Sequence, residues 1–228
     1  MGVLVIVYGR SGVGKSYSLK GFKQDEVFLV NVLGKPLPFR GQWKYQMATQ
    51  RIETILAGLK RMPTRSAVVD DAGYIMSSLF MAGHGGKQSD QFALYNQIAD
   101  SMWALVRCVQ DLPPDRIVYL MMHEETNDYG DSKLLTIGKL LDQKINLSGC
   151  TTITLHAMSD GEKYFFQARN NGHDLAKSPV DMFEGPEIEN DLAAVDRIIR
   201  EYYEFPALGE PVQASGAARV TKSEKVSE

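Results

Sequence analysis

Eight consecutive residues, Gly9-Arg10-Ser11-Gly12-Val13-Gly14-Lys15-Ser16, spell GxxxxGKS directly after the apolar run Val3 to Tyr8. That composition and order suit the wrapping of a polyphosphate. Gly9, Gly12 and Gly14 let backbone N–H groups turn around an anion. Lys15 has the reach for β- and γ-phosphates, and the Ser16 hydroxyl is a Mg²⁺ ligand type. Tyr17 completes the segment expected to bind the nucleotide. A helix starting near Ser16 would point its positive end at the same phosphates.

A second acidic element follows. Asp70-Asp71 ends the small apolar run Ala67–Val69. Asp70 stands where a carboxylate would hold Mg²⁺ through water and complete the metal site begun by Ser16. Asp71 has two readings: a general base for the attacking water, or a helix N-cap after a strand. His123 closes the run Ile117–Met122 and is read either as a γ-phosphate sensor or as a strand cap.

These residues must be carried by alternating strands and helices. Val3–Tyr8, 27–32, 67–69, Ile117–Met122, 151–156 and 163–168 read as strands, the last two around an Asp160-Gly161 turn. Helices are expected over 48–59, 73–81, 91–109, 134–144 and 192–203, the last N-capped by Asp191. Residues 82–89 read as a glycine-rich loop. Strands separated by helices imply a parallel sheet, with the ligand at the carboxyl ends of its strands. At 228 residues and 44% hydrophobic, the chain suits one α/β domain, expected over 1–204, with a disordered tail over 205–228.

Composition narrows the class. No apolar stretch approaches the length of a membrane span, so no membrane association is expected. Cys108 and Cys150 lack metal-like spacing and read as free thiols, pointing to the cytoplasm. A net charge of −3 argues against a surface that coats nucleic acid throughout.

GRSGVGKS, VVDDAGYIM (68–76), YLMMH (119–123), the Gly138-Lys139-Leu140-Leu141 segment and AKSPVDMFE (176–184) together resemble the phage-encoded RecA-like ATPases. These are ATP-binding or AAA-family proteins of bacteriophage recombination and replication clusters. The resemblance covers roughly residues 1–204, and its phage-specific part rests on GKPLPF (34–39) and KSPVDMFE (177–184). It implies a P-loop NTPase with a RecA-like three-layer sandwich around a mainly parallel central sheet. It also implies ATP and Mg²⁺ as ligands, hydrolase activity, a homo-oligomer, relatives of single-strand annealing recombinases, and the host cell's cytoplasm. Where such proteins carry a catalytic glutamate at the end of the second strand this chain has Asn31, which shifts water activation onto Asp71. Lys177 is the expected finger that one subunit lends to its neighbour's γ-phosphate, with a structural loop as the other reading.

For DNA contact, the resemblance points to loops 82–89 and 124–133. The first offers His84 and Lys87; the second is acidic, with Glu124, Glu125, Asp128 and Asp131. A more basic stretch lies between Lys35 and Arg65, where seven basic residues meet one acid, Glu53. Lys35, Arg40, Trp43 and Lys44 form a basic–aromatic segment suited to single-stranded DNA, or else a packed loop before a solvated helix. Two functions follow. One is a phage ATPase of recombination or replication on single-stranded DNA. The other is a nucleotide-dependent switch or loader acting on a replication protein with little DNA contact. A nucleotide kinase is a weaker third, since no arginine-rich lid is evident.

Overall fold

The structure, a computed structural model, describes residues 1–86 and 88–210. In chain order the strands are β1 (Val3–Tyr8), β2 (Val27–Asn31), β3 (Gln46–Ala48), β4 (Ser66–Asp70), β5 (Ile117–Met122), β6 (Glu124–Thr126), β7 (Ser132–Leu134), β8 (Ile153–Ser159), β9 (Tyr164–Gln167) and β10 (Glu187–Glu189). The α-helices are α1 (Ile52–Lys60), α2 (Gly73–Gly83), α3 (Gln88–Gln110) and α4 (Leu192–Tyr202).

Among the described residues, eight strands form one sheet in the order β10-β9-β8-β1-β5-β4-β2-β3. Pairing is parallel from β8 through β3 and antiparallel at β9 and β10. The α/β class and the mainly parallel sheet agree with the sequence. Side chains on β1 alternate between two cores. Leu4, Ile6 and Tyr8 pack with residues of α1, α2 and α3, while Val5 and Val7 pack with residues of α4. Covering both faces is why the inner strands are apolar without alternation. Each fully buried aliphatic side chain contributes about 1.5–3 kcal/mol.

A buried polar knot ties α4 to the sheet. Asp196 Oδ2 accepts from Ser66 Oγ at 2.5 Å and from Tyr119 Oη at 3.0 Å, and its Oδ1 accepts from Arg200 Nε at 2.6 Å. Asp191 caps α4 as expected, accepting from the amides of Ala193 and Ala194.

The structure corrects several local expectations. The segment after Lys15 is a six-residue 3-10 turn, Ser16–Gly21. Its end abuts α4, where a Cβ on Gly21 would fall 2.1 Å from Asp191 Oδ1. The helix expected from 134 is instead β7 followed by a short π-turn, Leu140–Ile145. Gly138 at φ +100° and left-handed Asn146 bound that turn. The helix expected from 48 starts at Ile52, because Gln46–Ala48 pairs with β2 as an edge strand. α2 extends to Gly83, shortening the expected loop, and Lys87 lies outside the described residues.

Residues 205–210, expected in the tail, lie against the domain. Arg200 Nη1 donates to the Pro206 carbonyl at 3.1 Å and Arg65 Nε to the Glu210 carbonyl at 3.2 Å. The rest of the expected tail, 211–228, is outside the described residues. Both cysteines are free. No helix among the described residues is long and apolar enough to cross a membrane.

Candidate functional site

The register of the sheet collects the chemistry. Tyr8 pairs with Met122 across β1 and β5, and Val69 pairs with Leu120 across β5 and β4. The residues that follow these strands, Gly9, Asp71 and His123, therefore emerge on one edge, where ligands of open α/β sheets sit. The strand bearing His123 stands between the glycine-rich loop's strand and the aspartate strand.

Close contacts fix the glycine-rich loop. A Cβ on Gly9 would lie 2.4 Å from the Ala157 carbonyl oxygen of β8. Gly14, at φ +90°, would place a Cβ 2.8 Å from the Tyr164 ring. Tyr164 faces Tyr17, with ring centroids 5.7 Å apart. Ser11, Gly12, Gly14, Lys15, Ser16 and Tyr17 line a cavity of about 520 Å³, which Tyr164 closes on one side. Lys35, Pro36, Pro38, Asp71 and His123 complete its wall. Val13 turns instead toward the apolar layer beside α4.

Lys15 is only 6% exposed. Its ammonium donates to the carbonyls of Gly9 at 2.6 Å and Arg10 at 2.7 Å. Burial lowers its pKa to about 8, against the pull of Asp71, Asp70 and Glu124. Ser16 Oγ donates to Asp70 Oδ1 at 3.0 Å. Asp70 Oδ2 is buried with no hydrogen-bond partner among the described residues. Burial, then the neighbouring Asp71 carboxylate, pushes the Asp70 pKa up. Among the described residues no three His, Cys, Asp or Glu side chains form a preassembled metal cage. One hydroxyl and one carboxylate with a spare buried oxygen nevertheless fit Mg²⁺, which takes few protein oxygens and completes its shell from phosphate and water.

Asp71 is held at φ +60°, a conformation aspartate tolerates better than most residues. Its carboxylate pairs with the Lys35 ammonium and lies 3.5 Å from His123 Nε2. Burial opposes ionisation of Asp71, but the bonds to His123 and Lys35 outweigh it and hold its pKa below the usual value. Tyr74 sets its ring edge-on to His123 at 5.7 Å.

The basic–aromatic segment does not stay together. Lys35 joins the cavity just described, while Trp43 is buried in the core with Phe39 edge-on against it. Arg40 and Lys44 remain exposed, Lys44 over the Tyr45 ring at 5.1 Å. Lys177 Nζ donates to the Ser148 carbonyl at 2.6 Å, and its backbone bridges Thr154.

One part of the site escaped the sequence. Glu124, expected on an acidic loop, tucks beside the glycine-rich loop with its side chain 5% exposed. It accepts from Arg10 Nε at 3.0 Å, from Ser132 Oγ at 2.7 Å, and lies 2.6 Å from His156 Nε2. His156 stacks on Tyr8 with centroids 4.4 Å apart, and its Nδ1 is 3.9 Å from Asp174 Oδ2. The available signal was that Glu124 directly follows His123; His156 and Asp174 carried none.

Comparison of the chain with protein-family models and with curated proteins finds no match.

Proposed function

We propose that this protein is a Mg²⁺-dependent ATPase on a RecA-like P-loop fold. The observation that carries the reading is the Ser16–Asp70 hydrogen bond beside Lys15. It joins a hydroxyl and a carboxylate from residues 54 apart into one donor pair at the mouth of the glycine-rich loop. Lys15 would exchange its carbonyl partners for the β- and γ-phosphates, since a charge-assisted bond to phosphate exceeds one to a neutral carbonyl. Ser16 and Asp70 would hold Mg²⁺, which supplies charge neutralisation across those phosphates when bound. Asp71 would orient and deprotonate the attacking water, and His123 would hydrogen-bond the γ-phosphate. No GTPase base-reading motif is evident in the sequence, so ATP is the proposed nucleotide.

The process rests on the resemblance: recombination or replication in a phage-infected cell, with the protein cytoplasmic and homo-oligomeric. A second reading, a nucleotide-dependent switch or loader with little DNA contact, is favoured by one observation. Lys35 and Trp43, half of the basic–aromatic segment, are turned into the cavity and the core.

The test is ATP hydrolysis by the purified chain with and without single-stranded DNA, beside Lys15→Ala. DNA-stimulated turnover absent from Lys15→Ala supports the recombination reading. Turnover indifferent to DNA supports the switch. Undiminished turnover in Lys15→Ala refutes the ATPase site itself.

A further inference from the structure

We propose that Lys35 is a catalytic phosphate ligand supplied within the same chain. It would leave Asp71 for the γ-phosphate when a nucleoside triphosphate binds. The inference rests on the ATPase reading and deepens it, replacing the neighbour's Lys177 as the source of the second cation.

Three observations carry it. The Lys35 ammonium is paired with Asp71, inside the cavity that Lys15, Ser16 and His123 also line. The backbone that delivers it is pinned: Gly34 N–H donates to the Asn31 carbonyl at 3.2 Å, and Asn31 Nδ2 donates to the Lys35 carbonyl at 2.7 Å. Pro36 and Pro38 then limit the freedom of the loop that follows. Asn31 thus acts as the positioning residue for Lys35. Lys177, by contrast, does not line that cavity; its ammonium donates to the Ser148 carbonyl instead.

Charge drives the exchange. In the nucleotide-free protein Lys35 neutralises the carboxylate proposed as the base. A γ-phosphate entering between Lys15 and His123 brings more negative charge than Asp71 and three acceptor oxygens. Lys35, with its side chain nearly half exposed, can turn to it without unpacking the core. The move removes the Lys35 pairing from Asp71 only when a triphosphate is present, leaving the carboxylate beside His123. In the step that follows, a bond forms between the water oxygen and the γ-phosphorus while the bond to the β–γ bridging oxygen breaks. That electron pair leaves on the nucleoside diphosphate, and the water proton passes to Asp71 and then to inorganic phosphate.

The experiment compares wild type, Lys35→Ala and Lys35→Arg for affinity toward ADP and toward a non-hydrolysable ATP analogue, and for kcat. Lys35→Ala should leave ADP affinity unchanged and weaken the analogue about tenfold, the value of one charge-assisted phosphate contact. It should lower kcat by about 100-fold, less than the loss of an arginine finger. Lys35→Arg should restore much of both. Turnover per chain should not change on dilution, and mixing Lys35→Ala with Lys15→Ala chains should not restore activity. A Lys35→Ala chain that matches wild type in analogue affinity and kcat overturns the proposal, as does equal weakening of ADP and analogue. Rescue on mixing would place the lysine in a neighbour's site and overturn it too. A wild-type chain that binds neither nucleotide refutes instead the ATPase reading underneath.

Discussion

Ser16 Oγ donates to Asp70 Oδ1 at 3.0 Å, linking the first residue of the 3-10 turn after the glycine-rich loop to the last residue of β4. β5 lies between β1 and β4, so the bond spans a strand. It leaves Asp70 Oδ2 buried and unpartnered among the described residues.

Replacing Asp70 with Asn keeps the shape of that contact and removes its charge. The variant is expected to fold and to bind nucleotide without metal as wild type does. Turnover should fall by at least about 100-fold and lose its response to Mg²⁺, in line with removal of one electrostatic element of a phosphoryl-transfer site. A Mg²⁺ titration of ATP hydrolysis checks this. A response equal to wild type would remove Asp70 from the proposed metal site.

Gly14→Ala tests the wall formed by Tyr164. The substitution suffers both from φ +90° and from the ring at 2.8 Å, whereas a Cβ on Gly12, at φ +85°, would meet nothing within 4 Å. Left-handed strain alone costs about 1–2 kcal/mol. Gly14→Ala should therefore destabilise more than Gly12→Ala, and Tyr164→Ala in the same chain should recover part of the difference, because it removes the ring but keeps the Tyr164 Cβ 3.1 Å away. Denaturant midpoints of the two single variants and the double variant decide it.

Acid should release Glu124 from the glycine-rich loop. Burial opposes its ionisation, but His156, Ser132 and Arg10 outweigh it and hold its pKa below the ordinary 4.5. A carboxylate with a depressed folded pKa contributes stability above the unfolded value and loses it as pH falls through the folded one. Arg10, Lys15 and the His156 imidazole are its neighbours, and Asp174 lies beyond His156. Glu124→Gln should cost about 1.5–3 kcal/mol near neutrality, the value of hydrogen bonds to a charged group. The gap from wild type should close as pH drops below 4.5. Thermal melts over that range measure it; a constant gap would show that the Glu124 charge is unimportant.

The knot around Asp196 should dominate the docking of α4. Asp196 is fully buried and bonded by Ser66, Tyr119 and Arg200. Asp196→Ala leaves the buried Arg200 charge without its carboxylate partner, an expected loss of about 3–5 kcal/mol. Urea unfolding at neutral pH reads the loss directly. The cavity proposed to bind nucleotide, at the other end of β4 from Ser66, should keep its affinity wherever the variant remains folded.

Much of the sheet was legible because its signals are local. β1 and β5 read as apolar runs at the bounds they take, and Asp191 as the cap of α4, since burial on both faces and an N-cap each leave a mark within a few residues. The helix expected over 134–144 failed because apolar spacing says nothing of Gly138 and Asn146 in left-handed conformations.

The candidate site divides in the same way. The sequence by itself determined the glycine-rich loop, Lys15, Ser16, Asp70 and the strand-end position of His123. Each is a residue type at a fixed offset from a strand, and an α/β sheet brings its carboxyl ends to one edge. Only the tertiary structure decided which way the remaining side chains face. It turned Lys35 onto Asp71, buried Trp43, bound Lys177 to Ser148 and drew Glu124 into contact with Arg10 and His156. Those contacts join residues far apart in the chain. The Lys35 contact depends on β2 lying beside β4, and the Glu124 contacts on β5 and β8 flanking β1, an order set by the burial of whole strands and not by any short run of residues.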